Sequence, residues 1–233
     1  MYNGKMKALT FSYDDGIEQD VRLIEIFNKY ALKATFNLNS GRLGEQRTLT
    51  QEGITFNHNK VKPCDVRHIY EGHEIAAHTV KHPNLTTLEE ADIIAQVEGD
   101  RLALSDLAGY EVKGFAYPCG GVNYDRRVSE IIRKNTGVKY CRTIVSSLSF
   151  EKCENLYELK PTIHHAKFDE LEALAEQFIN AKPDIPMLFY VWGHSYEFDM
   201  FNNWDRFEEF CKMISGRDDI FYGTNRECLL PNP

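Results

Sequence analysis

The stretch Ala8-Leu9-Thr10-Phe11-Ser12-Tyr13-Asp14-Asp15-Gly16 decides how the rest of the chain is read. Its first part mixes Leu9, Phe11 and Tyr13 with Thr10, the composition of a buried strand. It then ends in two adjacent carboxylates and a glycine. Two like charges at the mouth of a strand cost stability unless something compensates them, and a bound cation is one such compensation. The plain alternative is a helix N-cap or a turn, since Asp favours both.

Working outward, Ile17, Val21, Ile24, Phe27 and Tyr30 recur at spacings of three and four and predict a helix. Ala34 to Leu38 predicts a second strand, and the βαβ rhythm implies a parallel sheet. Gly41 to Asp65 is polar, with Ile54 to Asn57 as a short strand or hairpin inside it; so long a segment is more often a functional cover than a connector. Glu74 to His78 predicts the third main strand. Thr87-Leu88-Glu89-Glu90 has the capping-box pattern, ahead of a helix faced by Ile94, Val97, Leu104 and Ala108. Val112 to Tyr117 predicts a fourth strand, stopped by Pro118, Gly120 and Gly121. Val128, Ile131 and Ile132 mark a helix.

Lys139 to Arg142 and Leu156 to Lys160 predict weaker strands, and Phe168, Leu171, Leu174 and Phe178 another helix. Met187 to Trp192 is the most apolar strand. Trp204, Phe207, Phe210 and Ile214 form the last long helical stripe, and Phe221 and Tyr222 close the sheet. With no repeat or linker, residues 1–233 read as one α/β domain. About seven β–α steps with polar residues at the strand C-termini predict a TIM-barrel-like fold with its chemistry at that rim.

Composition narrows the partners. The 233 residues carry a net charge of −8 and 42% hydrophobic residues, enough for a core. An acidic chain, pI about 5.5, argues against nucleic acid or an anionic membrane surface as the main partner. An uncharged or cationic substrate fits better. No apolar run reaches the roughly 18 residues of a membrane span. The N-terminal sequence has no signal-peptide core, so the chain as written is expected to be cytoplasmic, or extracellular or in the cell envelope if a leader has been removed. Six cysteines without CxxC spacing are expected as reduced thiols.

Candidate partners for the carboxylates stand at the end of the third strand. His78 and His82 are four residues apart, with Pro83 favouring a turn over a continuing helix. One carboxylate with two imidazoles is a common catalytic zinc set that leaves positions open for water and substrate.

Together ALTFSYDDG, His78 to His82 (HTVKH), Phe115 to Gly121 (FAYPCGG) and Val191 to Ser195 (VWGHS) resemble the ordered motifs of the carbohydrate esterase family 4 polysaccharide deacetylases, the NodB-homology domain. The resemblance runs from about Leu9 to Ser195. It implies a distorted (β/α)7-type barrel that removes N- or O-linked acetyl groups from N-acetylglucosamine polymers, peptidoglycan or xylan. It also implies a divalent metal, commonly Zn2+, with Co2+, Ni2+ or Mn2+ accepted by the same N/O ligands. Carried over, Asp15, His78 and His82 become the metal ligands and Asp14 the general base. The backbone N–H of Cys119 becomes the oxyanion donor and His194 the general acid. Tyr117, Pro118 and Trp192 fall at substrate-binding positions, Trp192 either as a sugar platform or as packing.

The chain departs from the family pattern in three places. The third motif lacks the Arg that pairs with the base. The usual fourth motif, an Asp that orients the acid histidine, is not evident, and Lys160 to His165 occupies its place in the order. Tyr13 inserts an aromatic before the carboxylates. Strand alternation allows one of His164 and His165 to face the site. Glu197 and Asp199 read as a solvated turn rather than a partner for His194. His58, His68 and His73 read as ordinary polar positions, Cys119 as a small packed thiol and Trp204 as core. Two rival functions stay open: hydrolysis of a non-sugar amide or cyclic imide, and a carbohydrate-binding pseudoenzyme.

Overall fold

The computed structural model describes residues 2–51 and 53–231. Strand β1 spans Lys7–Asp14, helix α1 Asp20–Lys29 and β2 Ala34–Leu38. A hairpin follows, β3 Thr48–Gln51 and β4 Ile54–Asn57, then α2 Val66–Ile69, β5 Glu74–Ala77, α3 Glu90–Ala108, β6 Gly114–Ala116, α4 Arg126–Asn135 and β7 Tyr140–Arg142. The chain ends with β8 Ile163–His164, α5 Phe168–Asn180, β9 Met187–Gly193, α6 Tyr196–Phe201, α7 Trp204–Ile214, β10 Ile220–Tyr222 and α8 Asn225–Leu229. Among the described residues no helix is long and apolar enough to cross a membrane.

Seven strands pair in parallel in the order β7-β6-β5-β2-β1-β9-β8 and curl into an open barrel. The eighth, β10, flanks only Lys7 to Leu9 of β1, while β2 pairs with Phe11 to Asp14 on the upper half. Leu156 to Lys160, expected as a strand, closes only part of the gap between β7 and β8. A turn from Asn155 to Glu158 and then Pro161 leave one parallel bridge, Leu159 to Arg142. The expected capping box is also absent. Asn84 accepts the Thr86 N–H at 3.0 Å and starts a short 3-10 turn that absorbs Thr87, so α3 begins at Glu90 with no side-chain cap. In α1 the buried face is Leu23, Ile24 and Phe27; Val21 is 42% exposed and Ile17 precedes the helix.

Every residue of β1 is buried, so both its faces matter. Leu9, Phe11 and Tyr13 point into the helix layer, where the Phe11 ring centroid lies 4.7 Å from Phe27 and 6.2 Å from Phe207. Thr10, Ser12 and Asp14 point into the barrel, where Thr10 meets Asn225 at 2.9 Å and Ser12 meets Asn37 at 2.9 Å. The period of two thus separates a largely apolar layer from a polar lumen, and Asp14 is the last lumen residue before the rim.

Because Phe11 is the centre of the aromatic layer, Phe11→Ala should lower unfolding free energy by roughly 3–5 kcal/mol in a denaturant titration. A loss under about 1 kcal/mol would mean that the layer is not the core of this fold.

Candidate active site

At the end of β1 the chain turns sharply. Asp15 adopts a left-handed backbone, φ 87°, with its N–H on the Asn37 carbonyl at 2.9 Å. Thr79, His82 and Cys119 do the same on neighbouring rim loops, with φ of 68°, 61° and 70°. Such conformations cost energy in non-glycine residues and collect at functional sites. Their effect here is to send the Asp14 carboxylate into the barrel and the Asp15 carboxylate over the rim toward the histidines.

The donor atoms of Asp15, His78 and His82 all lie within 4.8 Å of one another. His78 follows β5, and its backbone N–H is held by Leu38 and by buried Asp100 at 2.8 Å. Its Nδ1 lies 2.8 Å from the Ala116 carbonyl. Only a protonated nitrogen can donate to that oxygen, so Nε2 keeps its lone pair facing the site. Burial lowers both imidazole pKa values, that of His82 to about 4, which keeps them neutral and ready to ligate. The set fits a divalent cation.

Two residues of the long polar segment complete this half of the site. Burial alone would raise the Asp15 pKa, but the Lys60 ammonium and the His58 ring hold it well below the usual carboxylate range. Lys60 is fully buried, with Nζ donating to the Asp15 carbonyl at 2.6 Å and Oδ1 at 3.1 Å. His58 Nε2 lies 3.2 Å from Oδ2. His58 is therefore a partner of Asp15, not an ordinary polar position. The hairpin that precedes it docks on α6, where Phe56 stacks on Tyr196 at 4.8 Å.

Asp14 has its own cation. Arg142, the last residue of β7 and fully buried, forms a two-oxygen ion pair with it, and Asn37 adds a hydrogen bond at 2.8 Å. Burial would raise the Asp14 pKa, but Arg142, His78 and His194 lower it below normal. The arginine missing from the third motif is thus supplied from the next strand. His194 Nε2 stands 3.9 Å from Asp14 Oδ2, and its Nδ1 stands 3.5 Å from Glu197 Oε1. Burial would lower the His194 pKa, yet Glu197, then Asp14 and Asp15, raise it to about 9. Glu197 is thus the partner of His194 rather than part of a solvated turn.

Asp14, Asp15, His78, His82, His194 and Glu197 line one cavity of about 350 Å3, which also receives Gln51 from the hairpin. Cys119 lines it too, its Sγ 3.8 Å from His82 Nδ1, and burial raises the thiol pKa. The three expected substrate contacts fare differently. The Tyr117 side chain is buried and donates its hydroxyl to the Tyr157 carbonyl at 2.9 Å, and the residue lines the cavity. Pro118 is buried and does not line the cavity. Trp192 is 7% exposed, with the Arg142 guanidinium 4.4 Å from its ring centroid. It packs under Arg142, and what remains of its surface lines the cavity.

The polysaccharide deacetylase family model matches residues 2–140. A peptidoglycan-N-acetylglucosamine deacetylase of Bacillus cereus is 31% identical over 121 residues, which cover 52% of this chain and 38% of that protein. A bifunctional xylanase/deacetylase of Pseudobutyrivibrio xylanivorans is 30% identical over 122 residues, 52% of this chain and 18% of its own length. The matches therefore span well under half of both curated relatives. The fold resembles that of a family 4 carbohydrate esterase from Streptomyces lividans solved with acetate, at TM-score 0.55, 13% identity and coverage of 94% and 92% of the two chains.

The buried ion pair makes a prediction that needs no substrate. Arg142→Leu leaves Asp14 uncompensated and should cost roughly 3–5 kcal/mol of stability. Adding Asp14→Asn to Arg142→Leu should recover much of that loss in the same denaturant titration. Strict additivity of the two substitutions would show that the groups are not coupled.

Proposed function

The chain belongs to the polysaccharide deacetylase family, and from that premise we propose that it hydrolyses an N- or O-acetyl group on an acetylated oligo- or polysaccharide. The observation that carries this reading is Asp14. It is a buried, ionised carboxylate in one cavity with a cation cradle and with a histidine whose pKa is shifted the opposite way. Two titratable groups driven apart in this manner are the mark of an acid–base pair.

Asp15, His78 and His82 would hold a divalent metal, Zn2+ by preference, with Co2+, Ni2+ or Mn2+ as alternatives for the same ligands. When bound, it would supply Lewis-acid polarisation of the acetyl carbonyl and acidify the attacking water. Asp14, held low by Arg142, is a weak base on its own, so it suits a water acidified in this way. Arg142 and Asn37 keep the Asp14 carboxylate fixed while it receives the proton. His194, protonated at neutral pH, delivers a proton to the departing amine or alkoxide. The Cys119 backbone N–H, on its left-handed turn, is assigned to the developing oxyanion.

The rival hydrolase reading drew support from the absent motif arginine, and Arg142 at Asp14 removes that support. The pseudoenzyme reading drew on both the absent motif arginine and the absent orienting carboxylate, and Arg142 beside Asp14 and Glu197 beside His194 weaken it.

Acetate release should be measured from chitin oligomers, acetylxylan and peptidoglycan fragments. Release should stop with a chelator and fall at least about 100-fold in Asp14→Asn. Carbohydrate binding without release from any of them would favour the pseudoenzyme. The pH dependence follows from His194: the acid form is lost as pH rises through its pKa. kcat should therefore decline on the alkaline side at or below about pH 9, because a cation in the cradle lowers that value further. A His194→Ala variant that retains the same alkaline limb would remove His194 from the acid role.

A further inference from the structure

Glu197 is surrounded by three imidazoles, and two of them, with Tyr13, have no part in the reaction above. Their protons can be placed by elimination. His164 Nδ1 accepts the Ala166 N–H at 3.2 Å, so its proton is on Nε2, which lies 3.4 Å from Glu197 Oε2. Tyr13 is fully buried in the helix layer, and its hydroxyl meets His165 Nδ1 at 2.9 Å, its one side-chain partner among the described residues. A buried phenol with a single acceptor in reach donates to it. The proton of His165 is then also on Nε2, which lies 2.9 Å from Glu197 Oε2, at an angle outside good hydrogen-bond geometry.

Oε2 further accepts the His194 backbone N–H at 3.1 Å. With donors crowded on Oε2, Oε1 is the oxygen left for the His194 ring. Nδ1 of His194, 3.5 Å from Oε1 and outside good hydrogen-bond geometry, then keeps its proton on the Glu197 side, and Nε2 turns to Asp14.

A second, independent observation concerns Gly193. A Cβ there would fall 2.5 Å from His165 Nδ1 and 2.6 Å from Cε1. The glycine before His194 is thus the seat of the His165 ring, whose opposite side packs on Phe198 at 4.3 Å between centroids. On distance alone His164, His165 and Glu197 would also pass for a cation site, since their donor atoms lie within 4.8 Å of one another. The proton placement argues against that, because both Nε2 atoms offer hydrogens to Glu197 instead of lone pairs to a metal.

We propose that Tyr13, His165 and Glu197 form a positioning chain that fixes the orientation of His194 and keeps its Nδ1 proton toward Glu197. The inference rests on the reading of His194 as the general acid. It also links three departures of this chain: the aromatic ahead of the carboxylates, the histidine pair, and a carboxylate three residues after the acid instead of in a separate motif.

Tyr13→Phe is the cleanest variant, since it keeps the ring and deletes only the hydroxyl. Without that donor the His165 proton is free to move to Nδ1, which turns a lone pair on the Glu197 carboxylate. The Nδ1 proton of His194 is read by 15N NMR of the metal-loaded protein, a measurement that needs no turnover. The expected wild-type result is a protonated, slowly exchanging His194 Nδ1. Tyr13→Phe and Glu197→Gln should weaken or shift it, with kcat about 10-fold lower and KM within about twofold. Tyr13→Phe should have no further effect on kcat in a His194→Ala background.

An unchanged His194 signal in Tyr13→Phe, or an additive loss in His194→Ala, would overturn the chain. So would a second zinc equivalent in a titration that disappears in Glu197→Gln. If the wild type released no acetate, the deacetylase reading would fail while the NMR result still decided the positioning.

Discussion

The structure depends on how β1 ends. Asp14 and Asp15 are adjacent, and two carboxylates in one desolvated place would push each other toward protonation. The left-handed turn at Asp15 prevents this by pointing them to different environments, each with its own buried cation. Arg142 takes Asp14 inside the barrel, and Lys60 takes Asp15 at the rim. Both remain ionised, and one stays available for protons while the other faces the imidazoles. Without that division the histidines would have no anionic partner and the barrel lumen would hold an uncompensated charge.

The second half of the site repeats the arrangement with the signs reversed. His194 is kept cationic by a carboxylate, and that carboxylate is held in turn by donors from β8 and its continuation. The cavity therefore contains a depressed acid and an elevated base a few ångströms apart, at the ends of two strands that are direct neighbours in the sheet. Direct pairing of β1 with β9 over Lys7 to Tyr13 fixes the distance between Asp14 and His194 more rigidly than loops would.

Much of this was legible in the sequence, for local reasons. β1, β2, β5 and β9 are short apolar runs bounded by polar residues, and the candidate ligands His78 and His82 lie within one turn of each other at a strand end. What was not legible depends on contacts across long separations. Arg142 is 128 residues from Asp14, on a three-residue strand with no motif of its own. His58 and Lys60 sit in a polar segment whose lack of periodicity hides that its far end folds back over the rim. Glu197 looked solvated because nothing local shows that α6 begins there and draws it under two histidines. Trp192 stayed open between platform and packing because the sequence does not place Arg142 against its ring. His164 ends β8 and His165 lies beyond it, so strand alternation does not govern the pair: neither lines the cavity, and both rings reach Glu197.

The central claim is that the two neighbouring carboxylates have separate tasks, and metal affinity measures it most directly. Zinc binding should be compared by chelator competition in the wild type, Asp15→Asn and Asp14→Asn, two substitutions of equal size on adjacent residues. The account predicts that Asp15→Asn weakens binding by a factor of about 10–100 or more, while Asp14→Asn stays within severalfold of the wild type. Equal losses in the two variants, or a larger loss at Asp14, would contradict it.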